Sequence, residues 1–263
     1  MGCWARGESP SSDHLFAPPE MSGLRRSQQG MALFLLLILG LTIGASLFLS
    51  TWNRSAPRLA QEKASQLSLL QAKQALIAYA VSVYPAGDVR PGDLPCPDTN
   101  NDGKKENACG NASGSSGQAA RLGRLPWRSL GLPDLRDGSA ERLWYAVSNN
   151  FKENSRHLPL NSDTTGSIRV VDSGGNLIPD VIAVIFAPGP PLQRLNAGAV
   201  QNRTPAGENV AANYLDETST EDNADFVDYG ANGFADGIVR DAQGRILVND
   251  TLLTITSADL IPL

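Results

Sequence analysis

The chain has 263 residues, a formal net charge of -5, 41% hydrophobic and 19% charged residues. That length suits one domain of ordinary size with an appendage, and that composition excludes a disordered tail. A mildly acidic balance without a basic stripe gives no basis for nucleic-acid binding.

In chain order, residues 1–20 fit no recognisable element, and Met21 offers a second start just upstream of the basic segment Arg25-Arg26-Ser27-Gln28-Gln29-Gly30. Residues 31–52, MALFLLLILGLTIGASLFLSTW, then carry no charge. As a helix they would extend roughly 33 Å, enough to cross a bilayer core. Trp52 stands where an interfacial aromatic belongs, and Arg25 and Arg26 place the N-terminus in the cytoplasm with everything after the span on the far side. A secretory signal peptide fits less well, because the apolar run is longer than an h-region and no convincing small-x-small cleavage site follows it.

Residues 53–84 predict an amphipathic stalk helix. Leu67, Leu70, Ile77, Val81 and Tyr84 recur at heptad-like spacing, interrupted by Gln74, and form the stripe expected to pack on the following head. Pro57 can kink the helix, and Pro85 disfavours its continuation. Residues 85–263 make up the extracytoplasmic globular head.

Of the 3 cysteines, Cys3 is isolated, while Cys96 and Cys109 bracket the loop 94–110, LPCPDTNNDGKKENACG. On the non-cytoplasmic side a disulfide between Cys96 and Cys109 is expected. Zinc is not, because no histidine or second cysteine pair stands nearby. Inside the loop, Asp98-x-Asn100-x-Asp102-Gly103-x-x-Glu106 alternates oxygen-bearing side chains around a glycine that permits a sharp turn. Such hard ligands select calcium. The expected set is Asp98, Asn100, Asp102, the Lys104 carbonyl, and Glu106 directly or through water. Cys109 takes the position where an EF-hand has its bidentate glutamate, so the loop resembles the shorter D-x-D-x-D-G-x-x-D calcium repeats instead. A solvated Asn/Asp/Gly turn is the competing reading.

Regular structure looks scarce from Pro85 to Ser139. Strands are predicted over Arg142–Ser148, Ser167–Asp172, Asp180–Ala187, Ile238–Arg240, Ile246–Asn249 and Leu252–Thr256, with hairpin turns at 172–176 and 241–244. The expected fold is α+β: one long N-terminal helix against a mainly antiparallel sheet. Trp127, Trp144 and Tyr145 are expected in the core. Residues 189–236 read as polar loops, with Glu217, Glu221, Asp222, Asp225, Asp228 and Asp236 as a solvated acidic face. Ser257-Ala258-Asp259-Leu260 starts a helix.

Basic residues, Gly30 and an uninterrupted apolar helix resemble the leader of type IV prepilins and type II secretion pseudopilins. The combination LPCPD…DG…CG, GRLPWRSLGLP and LWYAV resembles a pilin-like group and extends the likeness over most of the chain from about Arg25. The resemblance implies a pilin-like fold, cleavage by a prepilin peptidase between Gly30 and Met31, and methylation of Met31. It further implies partnership with other pilin or pseudopilin subunits, and residence in a bacterial inner membrane with the head in the periplasm or in a filament. It places the true start at Met21, which makes residues 1–20, Cys3 and His14 irrelevant, and it implies a terminal helix running on beyond Leu260. Leu35 occupies the fifth mature position, where most of the family has glutamate; minor subunits proposed for a filament tip share that departure. No catalytic residue is expected. His157 is the only histidine after Met21, and no G-x-S-x-G, H-E-x-x-H or phosphate-loop pattern occurs. The expectation is a structural minor pilin or pseudopilin. The alternatives are a single-pass anchored binding module that enters no filament, and an anchored periplasmic hydrolase dependent on His157 or an acidic pair.

Overall fold

The computed structural model describes residues 25–82, 90–110, 117–153, 160–161, 163–195, 198–226 and 233–260. Residues 1–20, Met21, Tyr84, Pro85, His157 and Asp228 lie outside them. Helix α1 runs from Arg25 to Ser82 and contains Pro57. The chain divides into two compact units, Met1–Ser55 and Ala56–Leu263.

In the first unit, Gly30–Phe48 is long and apolar enough to cross a membrane, with mean hydropathy 2.5 and no part buried. The polar side chains hide within the helix itself: the Thr42 hydroxyl donates to the Leu39 carbonyl at 2.9 Å and the Ser46 hydroxyl to that of Ile43 at 2.8 Å. Bonding of that kind lets hydroxyls sit on an apolar helix without exposed polar groups.

In the second unit, α1 buries Leu69, Ala72, Leu76 and Ala80. This corrects the expected stripe: Leu67, Leu70 and Val81 remain 58%, 47% and 55% exposed. The alanines explain the difference. They carry little apolar signal in a sequence, yet their small side chains let the helix approach a neighbouring layer closely, and they select the face shared with Leu69 and Leu76.

That layer is a four-stranded antiparallel sheet ordered β1 (Leu122–Arg124), β2 (Trp144–Val147), β5 (Ala183–Ala187), β9 (Thr251–Ile255). A second sheet orders β4 (Leu177–Val181), β3 (Ile168–Val171), β6 (Phe234–Ala235), with β3 and β6 parallel. A hairpin joins β7 (Val239–Arg240) to β8 (Ile246–Val248). The architecture is therefore α+β and mainly antiparallel.

Alternation of side chains across the central strands builds two cores. Tyr145, Val147, Ala183, Ile185 and Ile255 meet Leu69, Ala72, Leu76 and the two cysteines Cys96 and Cys109. Trp144, Ala146, Val184 and Phe186 meet Ile168, Val170, Tyr214, Leu215 and Phe234 on the other face. Because β2 and β5 are covered on both sides, they read as continuous apolar runs. The predicted strand Asp180–Ala187 is two strands in two sheets. Asp180 has φ 57, outside the extended region, near the end of β4, and the chain passes from one sheet to the other at Ile182, between β4 and β5.

Candidate functional site

The Gly30–Met31 bond lies inside α1. A Cβ placed on Gly30 would meet nothing within 4 Å, so no packing among the described residues demands a glycine there. Met31 and Leu35 are 66% and 62% exposed.

Cys96 and Cys109 form a disulfide, with both residues fully buried and Cα atoms 5.5 Å apart. The loop they close is attached to the edge of β1: Asp98 N–H donates to the Arg124 carbonyl at 2.9 Å, and Arg124 N–H to the Asp98 carbonyl at 2.7 Å. A Cβ on Gly123 would lie 2.6 Å from the Asp98 carbonyl oxygen, so the strand's glycine is what allows the loop to lie so close.

Asp98 organises the turn. Its Oδ1 accepts N–H groups from Asn100 at 3.1 Å and Asn101 at 2.6 Å, and its Oδ2 accepts that of Gly103 at 2.7 Å. Gly103, in the sixth position of the motif, has φ 84 and packs under the Trp127 ring, which a Cβ there would approach to 2.7 Å. Asn100 Oδ1 accepts the Asp102 N–H at 3.0 Å, and Asp102 Oδ1 accepts that of Lys104 at 2.7 Å. Glu106 Oε1 accepts the Thr99 hydroxyl at 2.9 Å. Burial raises the Asp98 carboxyl above the ordinary range, while the three N–H donors pull it back. Asp98, Asn100, Asp102, Lys104 and Glu106 thus share one tight turn whose oxygens already bind N–H and O–H groups. Among the described residues, no three His, Cys, Asp or Glu side chains gather as a group that could hold a metal.

Beneath the loop sits a polar contact that the sequence did not reveal. Glu153, 4% exposed, accepts the Tyr79 hydroxyl from α1 on Oε1 and the Lys105 ammonium from the loop on Oε2, at 2.5 Å for the latter. One carboxylate therefore ties helix to loop. It pushes the Tyr79 hydroxyl upward, after burial as the larger cause. Beside it, fully buried Lys152 has its ammonium pulled down to about 8, by burial first and then by Arg121.

On the other face of the sheet the Arg124 guanidinium lies over the rings of both Trp144 and Tyr214, at 4.4 and 4.0 Å. With Trp144, Asp98, Ala211 and Phe226 it lines a cavity of about 220 Å³.

The acidic stretch is a solvated face only in part: Asp225 is exposed and Glu221, Asp222 and Asp236 are half-buried, but Glu217 is not solvated. Glu217 is 3% exposed and accepts from Arg194 at 2.5 Å, and Asp222 accepts from the same guanidinium at 2.9 Å. Asp216 and Asp250 are 1% and 0% exposed. Local charge density predicted solvation; the counter-charge arrives from Arg194, distant along the chain, where no window of sequence could display it.

No family model matches this chain, no curated protein matches it, and no solved structure matches it.

Proposed function

We propose that the chain is a minor pilin or pseudopilin subunit of a type IV pilus or type II secretion system, anchored by α1 in a bacterial inner membrane and assembled through that helix. The observation that carries this reading is the bare apolar stretch Gly30–Phe48, opening on Gly30 and preceded by Arg25 and Arg26. A segment with no protein over it must be covered by lipid or by other helices. The N-terminus lies in the cytoplasm and the pilin-like head in the periplasm, in line with the arginines. Prepilin peptidase cleaves Gly30–Met31 and methylates Met31. Leu35 directs the reading to a minor, tip-located subunit.

Gly30→Leu tests this, because the space around Gly30 is open and the helix tolerates the change. Co-expressed with a prepilin peptidase, the parent chain shortens on a gel and the variant does not. Equal, unprocessed mobility of both would instead favour the anchored binding module.

For the loop 94–110 we propose a structural calcium ion held by Asp98, Asn100, Asp102, the Lys104 carbonyl and Glu106. Supporting it are the residue spacing and the Asp98–Gly103 hydrogen bond, which winds the turn tightly. A chelator then lowers the melting temperature and calcium restores it. An unchanged melting temperature assigns the turn to its own hydrogen bonds.

A further inference from the structure

Asp216 follows the 3-10 turn Ala211–Asn213, and Asp250 lies between β8 and β9. The two are bound to one another, since Asp216 N–H donates to Asp250 Oδ2 at 2.9 Å. Asn223 Nδ2 donates to the same oxygen at 2.7 Å, and its Oδ1 accepts the Ala235 N–H of β6. Asp216 has both oxygens engaged, Oδ1 by Gln201 Nε2 at 2.9 Å and Oδ2 by the Asn249 N–H at 2.8 Å. Asp250 Oδ1, in a residue with no exposure, has no hydrogen-bond partner among the described residues.

The charges around the pair do not balance. Arg194 and Arg203 both face Asp216, and Arg203 also faces Asp250. Arg194 is already committed to Glu217 and Asp222, and Arg203 reaches Glu141 at 3.3 Å. Asp236, whose Oδ1 accepts the Leu252 N–H, adds a further carboxylate on the β9 side. A buried carboxylate oxygen without a donor is far more costly as part of an anion than as a neutral O–H.

We propose that Asp216 and Asp250 form a buried acid pair that keeps one proton on Asp250 Oδ1 at neutral pH and releases it in alkaline surroundings, acting as a pH-sensitive latch between residues 211–226 and the β8–β9 turn. Hydrogen bonding chooses the site: Asp216 is donated to on both oxygens and keeps its charge, while Asp250 Oδ1 is free to carry the proton. Burial pushes Asp216 up to about 6, and burial followed by the neighbouring Asp216 charge pushes Asp250 well above the ordinary carboxylate range. A proton fits better than a cation, which would need several converging oxygens where one is free.

The direction of the pH effect follows. The folded chain holds a proton that the unfolded chain releases above about pH 4. The stabilisation is complete below that point and is lost as pH rises through the folded values. The test uses the full chain in detergent micelles. Between about pH 5 and about pH 8 the melting temperature falls by about 5–10 °C. Asp250→Asn, which mimics the neutral acid, removes most of that slope. Independently of any variant, the Asp250 Cγ resonance reports a protonated carboxyl at neutral pH. An ionised Asp250 at neutral pH, or an unaltered slope in Asp250→Asn, overturns the proposal. So does a melting temperature that follows added divalent cation and chelator while ignoring pH, which would place a cation at the pair.

Discussion

The two stretches of α1 are alike in local conformation and opposite in surroundings. Gly30–Phe48 is uniformly apolar and buries nothing within its unit. The stretch after Pro57 is mostly polar, yet Leu69, Ala72, Leu76 and Ala80 in it are at most 1% exposed. Hydrophobicity alone therefore does not tell where a helix is packed. The apolar stretch has the length and composition to cross a membrane, and the polar stretch packs into the core of its own unit.

The sharpest way to break that contrast is to place the same charge in each stretch. Leu76→Asp puts an unpaired carboxylate into the core and lowers stability by at least about 4 kcal/mol, read as loss of the unfolding transition in denaturant titration. Leu36→Asp leaves the stability of the second unit within about 0.5 kcal/mol and instead reduces membrane-bound protein in fractionation, since an aspartate at mid-bilayer costs about 2.5–3.5 kcal/mol. Next in size, Cys96→Ser with Cys109→Ser opens a loop with a sequence separation of 13 and removes about 3 kcal/mol of stability. Tyr79→Phe deletes one of the two donors on Glu153 and costs about 1.5–2 kcal/mol by urea denaturation. The smallest effect belongs to Leu67→Ala, within about 0.5 kcal/mol, because Leu67 lies on the uncovered face. A loss of several kcal/mol there would restore the stripe that the sequence suggested.

What could be read from the sequence had a local cause. The candidate span announced itself by an uncharged run, β2 and β5 by uninterrupted apolar residues, and the turns at 172–176 and 241–244 by Asp and Gly: Asp172 and Asp241 each accept backbone N–H groups within their own turn. The disulfide was legible because two cysteines bracket a short loop. The buried face of α1 was not, since Ala72 and Ala80 matter by being small. Strands β1 and β6, Leu122–Arg124 and Phe234–Ala235, are too short to show a period. The acid-rich regions differ in the same respect. The partners of Asp98 in its turn are backbone N–H groups near in sequence. Asp216 and Asp250 meet across the fold, and only the tertiary structure shows that they are buried together.

Mass spectrometry of the mature N-terminus from membranes distinguishes the proposed prepilin processing from an intact leader. The expected result is a terminal peptide beginning at N-methylated Met31. A peptide that still runs through Arg25 and Arg26 across an intact Gly30–Met31 bond would contradict it.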